Sequence, residues 1–121
     1  MKEPLASLAS EERGEVVLET GLSYTPDHAV AIRVRKRERR YDVDDGGAAV
    51  RLSGKPTRWL HIAERLVEAK GMNVNRRGVV FVPAVEGRDI HALVLRVAKT
   101  SLALYLALLE PELEAGSESG R

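Results

Sequence analysis

The sequence of 121 residues lacks cysteine altogether and has few aromatic residues, with one Trp, one Phe and three Tyr. The absence of cysteine excludes disulfides, zinc ribbons, iron–sulfur clusters and thiol catalysis. The net charge of +1 excludes a histone-like or strongly polyanionic chain. The first residues lack the long apolar run of a secretory leader. We therefore expect a cytoplasmic protein, with no cofactor and no membrane partner.

Hydrophobic residues make up 44% of the chain and charged residues 31%, which is typical of a soluble globular domain. The length fits one domain. We divide the chain into a polar N-terminal segment (1–13), a single domain (14–109) and an acidic tail (110–121). The first segment has the spacing of a short helix at Leu5, Leu8 and Ala9, and the tail has the composition of a disordered segment.

The charge is unevenly distributed, although the total is almost neutral. Residues 30–60 carry a net charge of +5, whereas residues 1–29 carry −4 and residues 101–121 carry −3. Most of the basic residues are Arg, whose planar guanidinium suits carboxylate and phosphate groups. A basic middle region between acidic ends is therefore a feature to explain.

Alternating apolar and polar residues predict strands in the first half of the chain. Residues 30–35 alternate in this way, with arginines on one face, and residues 40–44 alternate again, which predicts a β-hairpin with a basic tip. Residues 15–19 predict an earlier strand, with a turn over 21–27. Residues 72–82 predict a second hairpin around a glycine-containing turn.

Apolar residues at spacings of three and four predict helices in the second half. We expect a helical turn over 48–52, a helix from Thr57 to about Lys70 and a last helix from Arg88 to Leu109. The expected fold is α+β: a small antiparallel sheet of four or five strands, built from two hairpins plus an N-terminal strand, with helices on one face and a long C-terminal helix. The residues that we expect in the core are Trp59, Leu66, Val97, Leu104 and Tyr105.

The last helix carries a second apolar stripe outside its core face, made of Leu95, Leu102, Leu106 and Leu109. Either this helix is central in the fold, or its far side meets a partner. His91, Arg96 and Lys99 argue against a membrane span. The stripe favours a non-enzymatic binding or regulatory module that forms a homo-oligomer or docks a protein partner through this helix.

The predicted basic hairpin holds six cations within eight positions: Arg33, Arg35, Lys36, Arg37, Arg39 and Arg40. Such a ribbon could bind an anionic partner, above all nucleic acid, by displacing counterions from phosphates. The same charges could instead guard a sheet edge against pairing. They could also pair with the acidic ends of the chain.

Three carboxylates follow the hairpin at Asp42, Asp44 and Asp45. Hard divalent cations prefer several oxygen ligands, so a metal-dependent hydrolase is a further hypothesis. The favoured interpretation is an Asp-Gly turn whose carboxylates accept hydrogen bonds from nearby backbone N–H groups. The three histidines lack metal-site spacing, and we assign no catalytic residue.

Three short motifs have a familiar order: Asp44-Asp45-Gly46, Gly71-Met72-Asn73-Val74 and Gly78-Val79-Val80-Phe81. A strand that runs into the Asp-Asp-Gly turn, followed by helices, a short hairpin and a terminal helix, resembles the domain of unknown function 1828 family of bacteria and phages. The resemblance covers residues 14–109. It implies a small α+β fold and no particular activity, and the basic hairpin tip is not part of the family's pattern.

Overall fold

The computed structural model describes residues 14–110. A 3-10 turn at Gly87–Asp89 precedes the last helix. The strands are β1 (Glu15–Thr25), β2 (His28–Arg37), β3 (Arg40–Asp44), β4 (Asn73–Val74) and β5 (Val80–Val85). The helices are α1 (Ala48–Ser53), α2 (Trp59–Ala69) and α3 (Ile90–Leu108). The predicted N-terminal segment lies outside the described residues, as does the predicted tail beyond Glu110.

The five strands form one sheet in the order β1-β2-β3-β5-β4, and every neighbouring pair is antiparallel. The first three strands follow one another directly, and β5 then pairs with β3 after the chain has passed through α1, α2 and β4. The predicted α+β class is confirmed, including the antiparallel sheet and the long C-terminal helix.

Strand β1 is longer than predicted, because the expected turn at residues 21–27 is mostly strand. Gly21 adopts a φ of 84°, and the pairing with β2 shifts between Glu19 and Ser23. An irregularity of this kind bends a strand without ending it. The turn is therefore confined to Pro26 and Asp27.

The alternation in β2 separates the two faces of the sheet. Val30, Ile32 and Val34 are buried beneath the helices, whereas Arg33 and Arg35 lie on the opposite face. Successive side chains of a strand point to opposite faces, so this separation follows directly from the sequence. We call the arginine-bearing surface the outer face and the helix-covered surface the inner face.

Helix α3 packs against β1, β2, β3 and β5 and forms the centre of the core. Three of the residues predicted for the core are buried: Val97, Leu104 and Tyr105. Trp59 and Leu66 are only half-buried, which corrects the prediction. Their helix, α2, contacts α3 and the short edge strand β4 rather than the centre of the sheet. The Lys55 ammonium lies 5.5 Å from the centre of the Trp59 ring, a cation–π distance.

By length and composition alone, the segment Gly87–Leu108 could cross a membrane, so the polar residues within it do not settle the question that the sequence raised. Its packing describes it better. Eight residues of α3 are buried within the domain. In the described chain, α3 is thus the core helix against which the sheet packs.

Candidate functional site

The arginine-rich hairpin connects β2 and β3 through a loop of two residues, Glu38 and Arg39. On the outer face, the register sets basic residues of β2 opposite acidic residues of β3. The opposed pairs are Arg33 with Asp44 and Arg35 with Asp42. Opposite charges on directly facing residues of neighbouring strands attract each other.

Four of the six hairpin cations make ion pairs within the domain. Arg33 Nε lies 3.1 Å from Asp44 Oδ1, and Arg35 Nη2 lies 3.9 Å from Asp44 Oδ2. Arg37 Nε lies 3.3 Å from Asp42 Oδ2. The other pairs are Arg40 Nη2 with Glu86 Oε2 at 3.7 Å and Arg33 Nη1 with Glu15 Oε2 at 3.8 Å.

This pairing weakens the basic cluster as an anion-binding surface. Exposed ion pairs contribute only about 0–1 kcal/mol each to stability. Their larger effect here is to neutralise the positive charge that an anionic ligand would need. Among residues 14–110, only Lys36 and Arg39 of the cluster have no carboxylate partner.

Asp42 and Asp44 also have backbone partners. Asp44 is 2% exposed, and its Oδ1 accepts a hydrogen bond of 2.7 Å from the N–H of Gly46. Asp42 Oδ1 accepts a hydrogen bond of 3.2 Å from the N–H of Ala84 in β5. Ala84 has a φ of 57°, so this carboxylate holds an irregular point of the strand.

Asp45 is turned to the opposite side and lies in the core. Its Oδ1 accepts hydrogen bonds from the N–H of Gly47 (2.8 Å) and the N–H of Val80 (3.0 Å). The Ser101 hydroxyl donates to its Oδ2 at 2.5 Å. The Tyr24 hydroxyl lies 2.7 Å from Ser101 Oγ, and it donates there because Ser101 gives its own proton to Asp45.

This Tyr24–Ser101–Asp45 chain joins β1, α3 and the turn after β3, and the Val80 hydrogen bond adds β5. Burial raises the pKa of the Asp45 carboxyl above its ordinary value, although the hydrogen bonds from Ser101 and the two backbone groups oppose the shift. Burial likewise raises the pKa of Tyr24 to about 12. Sequence reasoning missed Tyr24 and Ser101. The available signal was a hydroxyl residue on the apolar face of the last helix.

The metal-site hypothesis for Asp42, Asp44 and Asp45 is not supported by this geometry. Asp42 and Asp44 pair with arginines on the outer face, whereas Asp45 binds Ser101 on the inner face. Among residues 14–110, no three His, Asp or Glu side chains are grouped so that they could hold a metal ion. The Asp44 and Asp45 bonds to Gly46 and Gly47 are those of an Asp-Gly turn.

The leucine stripe of α3 is exposed along most of its length. Leu95 is 42% exposed, Leu106 is 51% exposed and Leu109 is 49% exposed, whereas Leu102 is half-buried. The only other large hydrophobic side chain with such exposure in the described chain is Val17, on the outer face of the sheet. The stripe therefore gathers most of the exposed apolar surface onto one helix.

Two contacts show on which side of α3 the stripe lies. Arg96 donates a hydrogen bond of 3.1 Å to the carbonyl of Lys70, which marks the flank towards α2. The Tyr105 ring packs edge-on against Tyr24 of β1 at 5.5 Å, which marks the other flank. Leu102 and Leu109 are three and four residues from Tyr105, so they share its flank. The stripe therefore faces away from α2 and lies beside β1.

No protein-family model, curated protein or solved structure matches this chain. The resemblance to the domain of unknown function 1828 family is thus untested by these comparisons and remains a prediction from three short motifs. The function must therefore be inferred from the geometry of this chain alone.

Proposed function

We propose that this protein is a small, non-enzymatic binding module that associates with a second copy of itself through the leucine stripe of α3. The observation that carries the proposal is the exposure of Leu95, Leu106 and Leu109 on one flank of a single helix. Contiguous exposed apolar surface is typical of an interaction site.

The arrangement of charges beside the stripe favours a second copy as the partner. Lys99 and Glu110 are both exposed and lie on either side of Leu102 and Leu106. Two copies of α3 packed antiparallel would bring unlike charges together at each end of the contact. A twofold contact of this kind uses the same patch on both subunits, so one stripe is sufficient.

The test is sedimentation equilibrium of the full chain over a wide concentration range. We expect reversible dimerisation, and we expect Leu106→Glu to raise the dimer Kd at least about tenfold, since it places a charge in a desolvated contact. Ala103→Glu is the matched control, because Ala103 is exposed on the same helix outside the stripe. A strict monomer at high concentration would remove self-association and leave a different protein as the partner.

Nucleic-acid binding through the hairpin is the weaker proposal, because four of its six cations already contact carboxylates. A metal-dependent hydrolase is weaker still, because its three carboxylates do not share a site.

A further inference from the structure

The corner between β1 and α3 is the least covered part of the inner face. Val16 and Leu18 of β1 pair with the buried residues Val34 and Ile32, so they point towards the helices, yet both are only half-buried. Leu102 of α3 is half-buried on the same flank. Among residues 14–110, α1 and α2 are the other helices, and the flank of α3 towards α2 is the opposite one.

This corner continues into a cavity of about 270 Å³ at one end of the sheet. Gly14, the first described residue, lines that cavity together with Val16, Tyr41 and Ile90. The chain that precedes Gly14 therefore enters the molecule at the end of the corner, next to the first residue of α3.

We propose that residues 1–13 of this chain pack along the corner, between the inner face of β1 and the first half of the leucine stripe. Leu5, Leu8 and Ala9 are spaced as one face of a helix, and Pro4 suits the first turn of a helix. This apolar face matches the half-buried side chains of the corner. Such packing within one chain does not depend on the proposed self-association.

The lengths fit this arrangement. A helix of 13 residues is about 20 Å long, and the distance along α3 from Ile90 to Leu102 is about 18 Å. The segment would thus cover Leu95 and Leu102, whereas Leu106 and Leu109 would remain for a second copy. Lys36 also lines the cavity, and it has the opposite charge to Glu11 and Glu12, which precede Gly14 closely.

Introduced cysteines test the proposal directly, because the chain has none of its own. In the full chain, we expect the pair Leu8→Cys with Leu102→Cys to form a disulfide within one chain under mild oxidation. The control pair, Ser7→Cys with Leu102→Cys, places a thiol on the other face of the segment, and we expect at least a fivefold lower yield. Equal yields, or no disulfide in either pair, would overturn the proposal. A disulfide between chains would overturn it in favour of a second copy in the corner.

A second measurement avoids changes in α3. The double variant Leu5→Glu with Leu8→Glu should lower the urea midpoint of the full chain, because it charges the face that packs on the corner. The control, Ser7→Glu with Ser10→Glu, adds the same charge elsewhere in the segment and should leave the midpoint unchanged. Equal midpoints in both variants would overturn the proposal. Sedimentation of the same samples reports self-association separately, so failure of one proposal can be distinguished from failure of the other.

Discussion

The outer face of the sheet and the leucine stripe of α3 are both conspicuous in the sequence, but the fold treats them differently. On the sheet, Arg33 and Arg37 lie within 3.3 Å of carboxylates supplied by β3. On α3, Leu106 and Leu109 are about half exposed. A cluster of like charges can be satisfied by the neighbouring strand, whereas an apolar stripe outside the core needs a partner.

The contrast extends to the carboxylates themselves. Asp42 lies on the outer face with its side chain 18% exposed, whereas Asp45 is 2% exposed and accepts three hydrogen bonds in the core. Neighbouring residues in one sequence motif therefore have separate roles. Asp42 neutralises charge on the surface, and Asp45 connects four elements of the fold.

The largest effect that we predict follows from this difference. Asp45→Ala should lower the free energy of unfolding by about 2–4 kcal/mol, because it leaves the buried N–H groups of Gly47 and Val80 unpaired. Asp42→Ala, the matched control, should cost about 1 kcal/mol or less, since water can reach the groups it exposes. Urea unfolding monitored by circular dichroism measures both values. Equal losses would contradict the distinction between the two carboxylates.

A second prediction concerns pH. The pKa of Asp45 is raised by burial above its ordinary value of 3.8, so the folded state binds the proton more tightly than the unfolded state. The stability from this group is fully present below pH 3.8 and is lost as pH rises through the folded-state pKa. Urea unfolding at several pH values should therefore show wild type losing stability relative to Asp45→Asn as pH rises. A difference that does not change with pH would refute the assignment.

The smallest effect is expected on the hairpin. Arg35→Ala combined with Arg37→Ala should change the affinity for labelled single- or double-stranded oligonucleotides by less than about threefold, because these cations are already paired. Fluorescence anisotropy stepped through salt is the appropriate measurement. Tight, strongly salt-dependent binding that the double variant weakens would instead make the hairpin a phosphate-binding surface.

The sequence predicted what depends on local pattern and missed what depends on pairing. The alternation of residues 30–35 located β2 and its arginine face, and the helical spacing located the buried residues Val97 and Leu104. The Arg33–Asp44 pair depends on strand register, which the pattern alone does not determine.

The candidate sites show the same limit. Asp44 and Asp45 are adjacent in sequence but end on opposite faces, and the hydroxyl groups that complete the Asp45 site come from β1 and α3. Such long-range contacts leave no spacing motif. The leucine stripe could be recognised beforehand because its members belong to one helix, where spacing determines the face.

If the leucine stripe, and not the outer face of the sheet, is the contact surface, its side chains must lose access to solvent as copies associate. Thiol labelling of Leu106→Cys and Arg35→Cys in separate full-length chains measures this loss, since each variant would contain a single thiol. We predict that the labelling rate at position 106 falls as protein concentration rises, while the rate at position 35 stays constant. A constant rate at position 106, or a concentration-dependent rate only at position 35, would contradict the proposed contact surface.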